Sequence, residues 1–479
     1  MKKIGRYIVR GILGYGGMGR VFKVELPTIG KIAALKHFDP DPLVVQLMGL
    51  EPLRALFTSE AVTIARLQHP NIVAIHDFDQ EQGNPFFVMD FFPNNLGNMI
   101  GESYRVESPS RILNPDKAMD YVRQTLEGLA CLHDAGITHR DIKPYNLLVT
   151  AHDIVKICDF GLSKLRGEAY YGPKNLNVGS PYYAAPEQAI DPDCCDERAD
   201  IYPVGVMLYR MLTGRLPAVE GRKPGYQPCG LWNPDLNDKW DALIRRAIEP
   251  RPEARFAGAD EMLSALHELE IHWKAHKDKS CQLPSDPPLE SPLDRMPPPI
   301  RNTPLKLRPS EAARRFRVDR LWRPQSYTRN KFEIRNDGTI ADHATGLIWQ
   351  QAGSRYPGTR QHAETYVGDL NRRRFADRSD WRLPTINELI TLLRPKHSAI
   401  DLCIAPQFDQ HQRWIWSIDR RSFVAAYYVD MELGFVGWQD CSAPYYTRAV
   451  CSTPTLQKPE DSRSPLLTGS STGVAKGLQ

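Results

Sequence analysis

Proline and charge displace every apolar pattern in the stretch AHKDKSCQLPSDPPLESPLDRMPPPIRNTPLKLRPSEAARR, which begins at Ala275. No packed core can run through such a segment, which reads as an extended, semi-rigid polyproline-type linker. At 479 residues the chain is also too long for one core, since single cores rarely grow beyond about 250 to 300 residues. The expected organisation is two globular units, 5–272 and 326–455, joined by a Pro-rich linker over 273–325. The tail at 456–479 has too little apolar content to fold alone and is expected to be disordered.

Apolar residues make up 42% of the chain, charged residues 25%, and the formal net charge is +4. So small a charge on so long a chain argues against nucleic acid or a membrane surface as a partner. The opening MKKIGRYIVRGILGYGG lacks the uninterrupted apolar run of a signal peptide. The most apolar stretch, ADIYPVGVMLYRML at 199–212, is too short and too interrupted to span a bilayer. The expected location is cytoplasmic. Nine cysteines without a C-x-x-C pair or regular spacing argue against a disulfide framework and against a zinc site. The adjacent Cys194 and Cys195 read as loop or core thiols.

In GILGYGGMGRVFKV, Gly14, Gly16 and Gly19 form G-x-G-x-x-G-x-V between two strand-like runs. Glycines let backbone approach phosphate without interference from Cβ, so the segment suits a flap over a nucleotide, although a plain turn would look the same. A dinucleotide fold would place the last glycine at the opening of a helix; here GRVFKVEL continues as a strand. KIAALKHF follows, with Lys36 among apolar neighbours. In LRALFTSEAVTIARLQHPNIV, Leu56, Glu60, Ile64 and Leu67 share one helical stripe. A carboxylate on that buried face needs a cation, and Lys36 is the expected one.

HRDIKPYN, at 139–146, is followed by LLVTAHDIVKICDFGLS, a hairpin of short strands ending in Asp159, Phe160 and Gly161. Asp141, Asn146 and Asp159 are suitable ligands and base for a magnesium nucleotide, because magnesium takes a few carboxylate or amide oxygens and completes its shell with water and phosphate.

These motifs, in this order, resemble the eukaryotic-type (Hanks-type) Ser/Thr protein kinases found in bacteria, over some 265 residues. The resemblance implies a bilobal α+β fold with a β-rich N-lobe and a helical C-lobe. It implies that Leu13, Gly14, Gly16 and Gly19 cover ATP, and that Lys36, paired with Glu60, contacts the α- and β-phosphates. Val21, Ala34 and Leu148 would sandwich the adenine, Asp90 and Phe92 would offer it backbone groups, and Met89 would be the gatekeeper. Asp141 would orient the acceptor hydroxyl, Lys143 would steady the γ-phosphate, and Asn146 and Asp159 would hold Mg2+. GSPYYAAPEQ at 179–188 resembles the segment ending in Ala-Pro-Glu, so Glu187 should pair with Arg255 of RPEARF. Asp200 resembles the acid that ties the catalytic loop to the central helix, and Pro203 is expected in that helix's first turn.

Lys143 and GSPYYAAPE resemble the Ser/Thr branch, which implies protein Ser/Thr hydroxyls as acceptors. Arg140 resembles the residue that receives an activating phosphate, yet LSKLRGEAYYGPKNLNVGS contains no threonine. Its hydroxyls are Ser163, Tyr170, Tyr171 and Ser180, with Ser180 expected to contact Asp141 and Lys143; activity without a phosphate there is the expectation.

The second half has a different grammar. FEIRNDGTIADHATGLIWQ reads as a hairpin around Asp337-Gly338, GTRQHAETYVGDLNRRRF as a helix, and DWRLPTINELITLL as a second helix with a Thr385–Glu388 capping box. Aromatic-rich antiparallel strands from Trp414 close the unit. Its order of motifs resembles the Lcl C-terminal domain family, of unknown function, and through it a C-type-lectin-like α+β fold. Trp349, Trp381, Arg382, Leu383, Pro384 and Trp416 carry that match and read as core and turn residues. Cys441 and Cys451 are expected to stay reduced, and Arg372 to Arg374 to form a solvated helix end. The unit is expected to sense or recruit a protein or small-molecule ligand. Two functions stand: an ATP- and Mg2+-dependent Ser/Thr protein kinase, or a pseudokinase scaffold whose C-terminal unit binds a partner.

Overall fold

A computed structural model describes residues 2–16, 18–103, 106–160, 164–165, 182–191, 195–217, 226–280, 300–395 and 402–452. The N-lobe is an antiparallel sheet whose strands are β1 (Lys3–Ile4), β2 (Tyr7–Gly16), β3 (Gly19–Glu25), β4 (Ile32–Phe38), β5 (Ile75–Glu81) and β6 (Asn84–Asp90), in spatial order β1-β2-β3-β4-β6-β5. Between β4 and β5 lie α1 (Pro42–Met48) and α2 (Leu50–Ala65). Helix α2 buries Leu53, Phe57, Glu60, Ala61 and Ile64, so its apolar stripe is rotated slightly from the expected one and leaves Leu56 and Leu67 half-buried. Phe57 meets Phe38 and Phe87 at ring-centroid distances of 5.4 and 5.2 Å, which seats α2 on β4 and β6.

The C-lobe opens with β7 (Asn94–Asn95) and α3 (Leu96–Ile100). Helix α4 (Pro115–Asp134) starts where Asn114 accepts from the Asp116 amide and Pro115 supplies a preset φ. Next come β8 (Ile137–Thr138), the hairpin β9 (Leu147–Val149) and β10 (Val155–Ile157), β11 (Lys164–Leu165), α5 (Pro186–Ile190), α6 (Arg198–Thr213), α7 (Asp238–Ala247) and α8 (Ala259–Ser280). Every residue of α6 after Arg198 is buried, as befits the central helix of a lobe. Pro203 is the sixth residue of α6, not part of its first turn, because the helix begins at Arg198. It therefore removes an interior amide that would otherwise bond the carbonyl four residues back.

Parts of the expected linker, 273–280 and 300–325, are structured. Helix α8 runs on to Ser280, and α9 (Pro309–Phe316) buries Ala312 and Phe316 in the C-terminal core. Leu305 and Leu307 exchange backbone hydrogen bonds with Arg420 at 2.8 and 3.0 Å, and Arg301 grips Asp419 in a two-pronged pair at 2.9 and 2.6 Å. Proline clustering suggested an extended segment; Pro309 instead opens a helix.

The C-terminal unit has two antiparallel sheets. One joins β12 (Phe332–Ile334), β13 (Thr339–Asp342), β14 (Leu347–Gln350) and β18 (Val450–Ser452); the other joins β15 (Trp414–Arg420), β16 (Ala425–Asp430) and β17 (Phe435–Asp440). The turn between β12 and β13 carries Gly338 at φ +80°, as the Asp-Gly signal requires. Between the sheets in sequence lie α10 (Arg360–Arg372) and α11 (Ile386–Leu389). Helix α11 is only four residues long and continues as a 3-10 turn over Ile390–Leu392. Its capping box is present, and Arg382 closes it by donating twice to Glu388 at 2.8 and 2.5 Å. Trp349, Trp381, Leu383 and Trp416 are buried. Cys441 and Cys451 are unbonded thiols.

Candidate active site

A cleft of about 1100 Å3 opens between the N-lobe sheet and the C-lobe. Its walls include Leu13, Gly14, Gly16, Gly19, Val21, Ala34, Lys36, Glu60, Met89, Asp90, Phe92, Asp141, Lys143, Asn146, Leu148 and Asp159. Residues far apart in sequence thus meet in one concavity, apolar where the strands face it and charged at its inner end.

The strand register places Lys36 opposite Val21, which turns both side chains to the same face of the sheet. The Lys36 ammonium lies 2.7 Å from Glu60 and 3.1 Å from Asp159. Burial works to lower its pKa, but the two carboxylates more than offset this and hold it above its ordinary value. Beside Lys36 the Asp159 carboxyl falls below its usual range, against the opposing effect of burial. Burial raises the pKa of Glu60 despite the same cation.

The three glycines are not equivalent. A Cβ on Gly14 would meet nothing within 4 Å, whereas on Gly19 it would stand 2.1 Å from the His37 carbonyl oxygen. Gly19 is therefore required by the close approach of β3 to β4, and Gly14 leaves open space for a ligand. Gly19→Ala should lower the melting temperature and distort the flap, while Gly14→Ala should leave the melting temperature unchanged. Differential scanning fluorimetry on the two variants checks this.

The segment at 139–146 is fixed from below. The fully buried Asp200 accepts from the His139 and Arg140 amides at 2.8 and 2.7 Å, and the His133 ring lies 3.0 Å away. Burial alone would raise the Asp200 pKa, but His133 and these donors hold the carboxyl below its usual range. Lys143 donates to Asp141 Oδ2 at 2.7 Å. Asn146 donates to the same oxygen at 3.0 Å and to the Asp141 carbonyl at 2.8 Å. Arg140 and Asp159 have φ of +69° and +63°. Left-handed backbone is uncommon for such residues, and the two instances, one before the loop at 141–146 and one just after β10, mark places where strain is held by the surroundings.

Arg255 donates to both oxygens of Glu187 at 2.6 Å, and its remaining donors reach the carbonyls of Glu249, Arg198 and Pro250. Gln188, not singled out in the sequence, ties α5 to the loop by donating to the Arg140 carbonyl at 2.9 Å. Its neighbour Glu187 drew attention by its family motif; an amide side chain has no comparable signal. Equally silent was the buried set of Glu102, Tyr183 and Arg210, with Tyr183 donating to Glu102 at 2.5 Å. Gly161, Ser163, Tyr170, Tyr171 and Ser180, and so the expectations about activating phosphate and the Ser180 contact, lie outside the described residues.

The donor set fits a nucleotide with a hard cation. Asn146 commits its amide nitrogen to Asp141, which leaves its amide oxygen available as a ligand, and Asp159 lines the same cleft. Among the described residues no three His, Cys, Asp or Glu converge. A cation bound here would take few protein ligands and draw the rest from phosphate and water, as magnesium does.

A bilobal fold around a Lys–Glu–Asp cluster is the architecture of the protein kinase class. The family model of the protein kinase domain matches residues 7–263, more than half of the chain, and the protein belongs to that family. Membership implies use of ATP with a divalent cation. The Lcl C-terminal domain model matches residues 338–451.

Similar proteins include a probable serine/threonine-protein kinase of Clostridium acetobutylicum, 33% identical over 284 residues, or 56% of this chain and 40% of the relative. Serine/threonine-protein kinase pkn3 of Myxococcus xanthus is 32% identical over 285 residues, 55% of this chain and 50% of its own length. PknE of Mycobacterium tuberculosis is 32% identical over 275 residues, covering 55% and 46%. The chain thus spans about half the length of the curated relatives it matches. Among the described residues no helix is long and apolar enough to cross a membrane.

Proposed function

We propose that this protein is an ATP- and Mg2+-dependent kinase that phosphorylates Ser and Thr hydroxyls of proteins. The observation that carries the reading is the convergence of Lys36, Glu60, Asp141, Lys143, Asn146 and Asp159 in one cleft. Phosphoryl transfer is mostly positioning plus neutralisation of charge. In this reading Lys36 binds the α- and β-phosphates, with Glu60 holding it in place. Asp141 accepts a hydrogen bond from the acceptor hydroxyl and takes its proton, and Lys143 stabilises charge on the γ-phosphate. Asn146 and Asp159 would hold Mg2+, which would supply positive charge against the phosphates.

Val21, Ala34 and Leu148 enclose the adenine, with Met89 behind it and Leu13 and the glycine flap above. The Asp90 amide is committed to the Ala74 carbonyl at 3.3 Å, so adenine would use the Asp90 carbonyl and the Phe92 amide. Glu187, Asp200 and Arg255 hold the C-lobe in shape. The division into a kinase unit at 5–272 and a second unit from 326, the C-type-lectin-like relation of the latter, its sensing or recruiting role and a cytoplasmic location belong to the same proposal.

The test is transfer from labelled ATP to a generic protein substrate by the full chain, followed by acid hydrolysis. Phosphoserine and phosphothreonine, lost on chelation of the metal, are expected. Nucleotide binding without transfer would point to a scaffold.

A further inference from the structure

The nucleotide cleft has a wall that the kinase fold does not supply. Gln439 and Asp440, at the end of β17, line the same concavity as Lys36 and Asp159. They are held there from both sides of the hinge between the lobes.

On the N-lobe side, Lys23 of β3 is buried, with its ammonium 2.5 Å from Asp440 Oδ1, 2.7 Å from Ser442 Oγ and 5.4 Å from the centroid of the Phe91 ring. Lys23 lies two residues after Val21 and so faces the cleft. A buried ammonium needs a counter-charge, and this one finds it in the C-terminal domain.

On the C-lobe side, Gln439 Nε2 donates to the Pro93 carbonyl at 2.6 Å and to Asn94 Oδ1 at 3.2 Å, and the Tyr445 hydroxyl donates to the same Asn94 oxygen at 2.7 Å. Farther from the cleft, the Arg111 guanidinium lies 3.5 Å from the centroid of the Phe435 ring. One hydrophobic cluster runs without a break from Leu96 and Met119 of the C-lobe to Phe435 and Tyr445. The contact is therefore packed as a core, not as a loose surface touch.

We propose that the end of β17 is a clamp across the hinge, acting within the chain, and that it sets the interlobe geometry in which the nucleotide binds. Asp440 fastens the N-lobe through Lys23, and Gln439 and Tyr445 fasten the C-lobe through Pro93 and Asn94. Holding two lobes in register before the ligand arrives removes part of the ordering cost of binding. With the clamp in place the cleft still holds about 1100 Å3 and Lys36 pairs with both carboxylates, so the clamp leaves room for a nucleotide. The inference rests on the kinase reading above. Asp440 and Lys23 are positioning residues in it.

The test uses the full chain with Lys23→Ala, Asp440→Ala, Asp440→Asn and the exchange Lys23→Glu/Asp440→Lys. Affinity for a fluorescent ADP and the KM for ATP are measured, with thermal melting as a check on folding. Each alanine variant should raise Kd and KM by roughly tenfold, the middle of the range for one coupled pair. Turnover at saturating ATP should change little, Asp440→Asn should lie between, and the exchange should recover most of the affinity, which loss of structure alone would not allow. Unchanged nucleotide affinity in the alanine variants, or higher activity in them, would overturn the clamp while leaving the kinase reading intact. Wild-type protein that neither binds ADP nor transfers phosphate would overturn both.

Discussion

Replacing Asp141 by Asn is expected to cut phosphoryl transfer by a factor of roughly 10² to 10⁴, the range for loss of a general base, with nucleotide affinity and melting temperature nearly unchanged. Asp141 Oδ2 receives both Lys143 and Asn146. In Asp141→Asn the amide oxygen must take that place, because the alternative sets an NH2 group against two donors. The NH2 then faces the cleft and presents a donor where the acceptor hydroxyl needs an acceptor. The amide oxygen of Asn still accepts from Lys143, whose side chain is a quarter exposed, so no buried donor is left without a partner. Rates with labelled ATP and magnesium, together with a melting curve, check both halves of the expectation. Near-normal turnover would remove Asp141 from the role assigned to it.

Lys36→Met should have a double effect. Turnover should fall by about 10² to 10³, as for other single groups that stabilise developing charge. Stability of the kinase unit should fall by about 3 to 5 kcal/mol, because Glu60 is left buried without its cation. A second substitution separates the two losses: Lys36→Met/Glu60→Gln should regain much of the stability and none of the activity. The sign of the pH dependence follows from burial, which already raises the Glu60 pKa in the folded protein. A carboxyl whose folded pKa lies above its unfolded value contributes stability that is present below the unfolded value and is lost as pH rises through the folded one. Lys36→Met should therefore melt higher at about pH 5.5 than at about pH 8, relative to wild type, and the double variant should lose that difference. A single variant as stable as wild type at both pH values would contradict the pairing.

The outcome for individual residues shows where a sequence is informative. Lys36 and Glu60 were matched by helical periodicity: a carboxylate on an apolar stripe needs a cation, and few are available on a neighbouring strand. The Asp337-Gly338 turn and the Thr385–Glu388 box were legible because turns and caps are written in adjacent residues. The linker was misjudged at both ends, since proline marks a break in one context and a helix start at Pro309 in another. Pro203 was misplaced by the two-residue uncertainty that attends any helix start.

What the sequence determined by itself was therefore local or motif-borne: two successive sets of motifs, the strand–flap–strand at the N-terminus, the loop that carries Asp141, Lys143 and Asn146, and the family those motifs imply. Only the tertiary structure decided that Gln188 holds the Arg140 carbonyl, that Asp200 gathers two loop amides, that residues from Ile300 on pack into the second core, and that Lys23 meets Asp440 across 417 positions. The reason is physical. Periodicity and turn chemistry act over a few residues and leave a trace in their order, whereas one lysine among many chooses its carboxylate only when the packing of whole units brings the two charges together and removes the water between them.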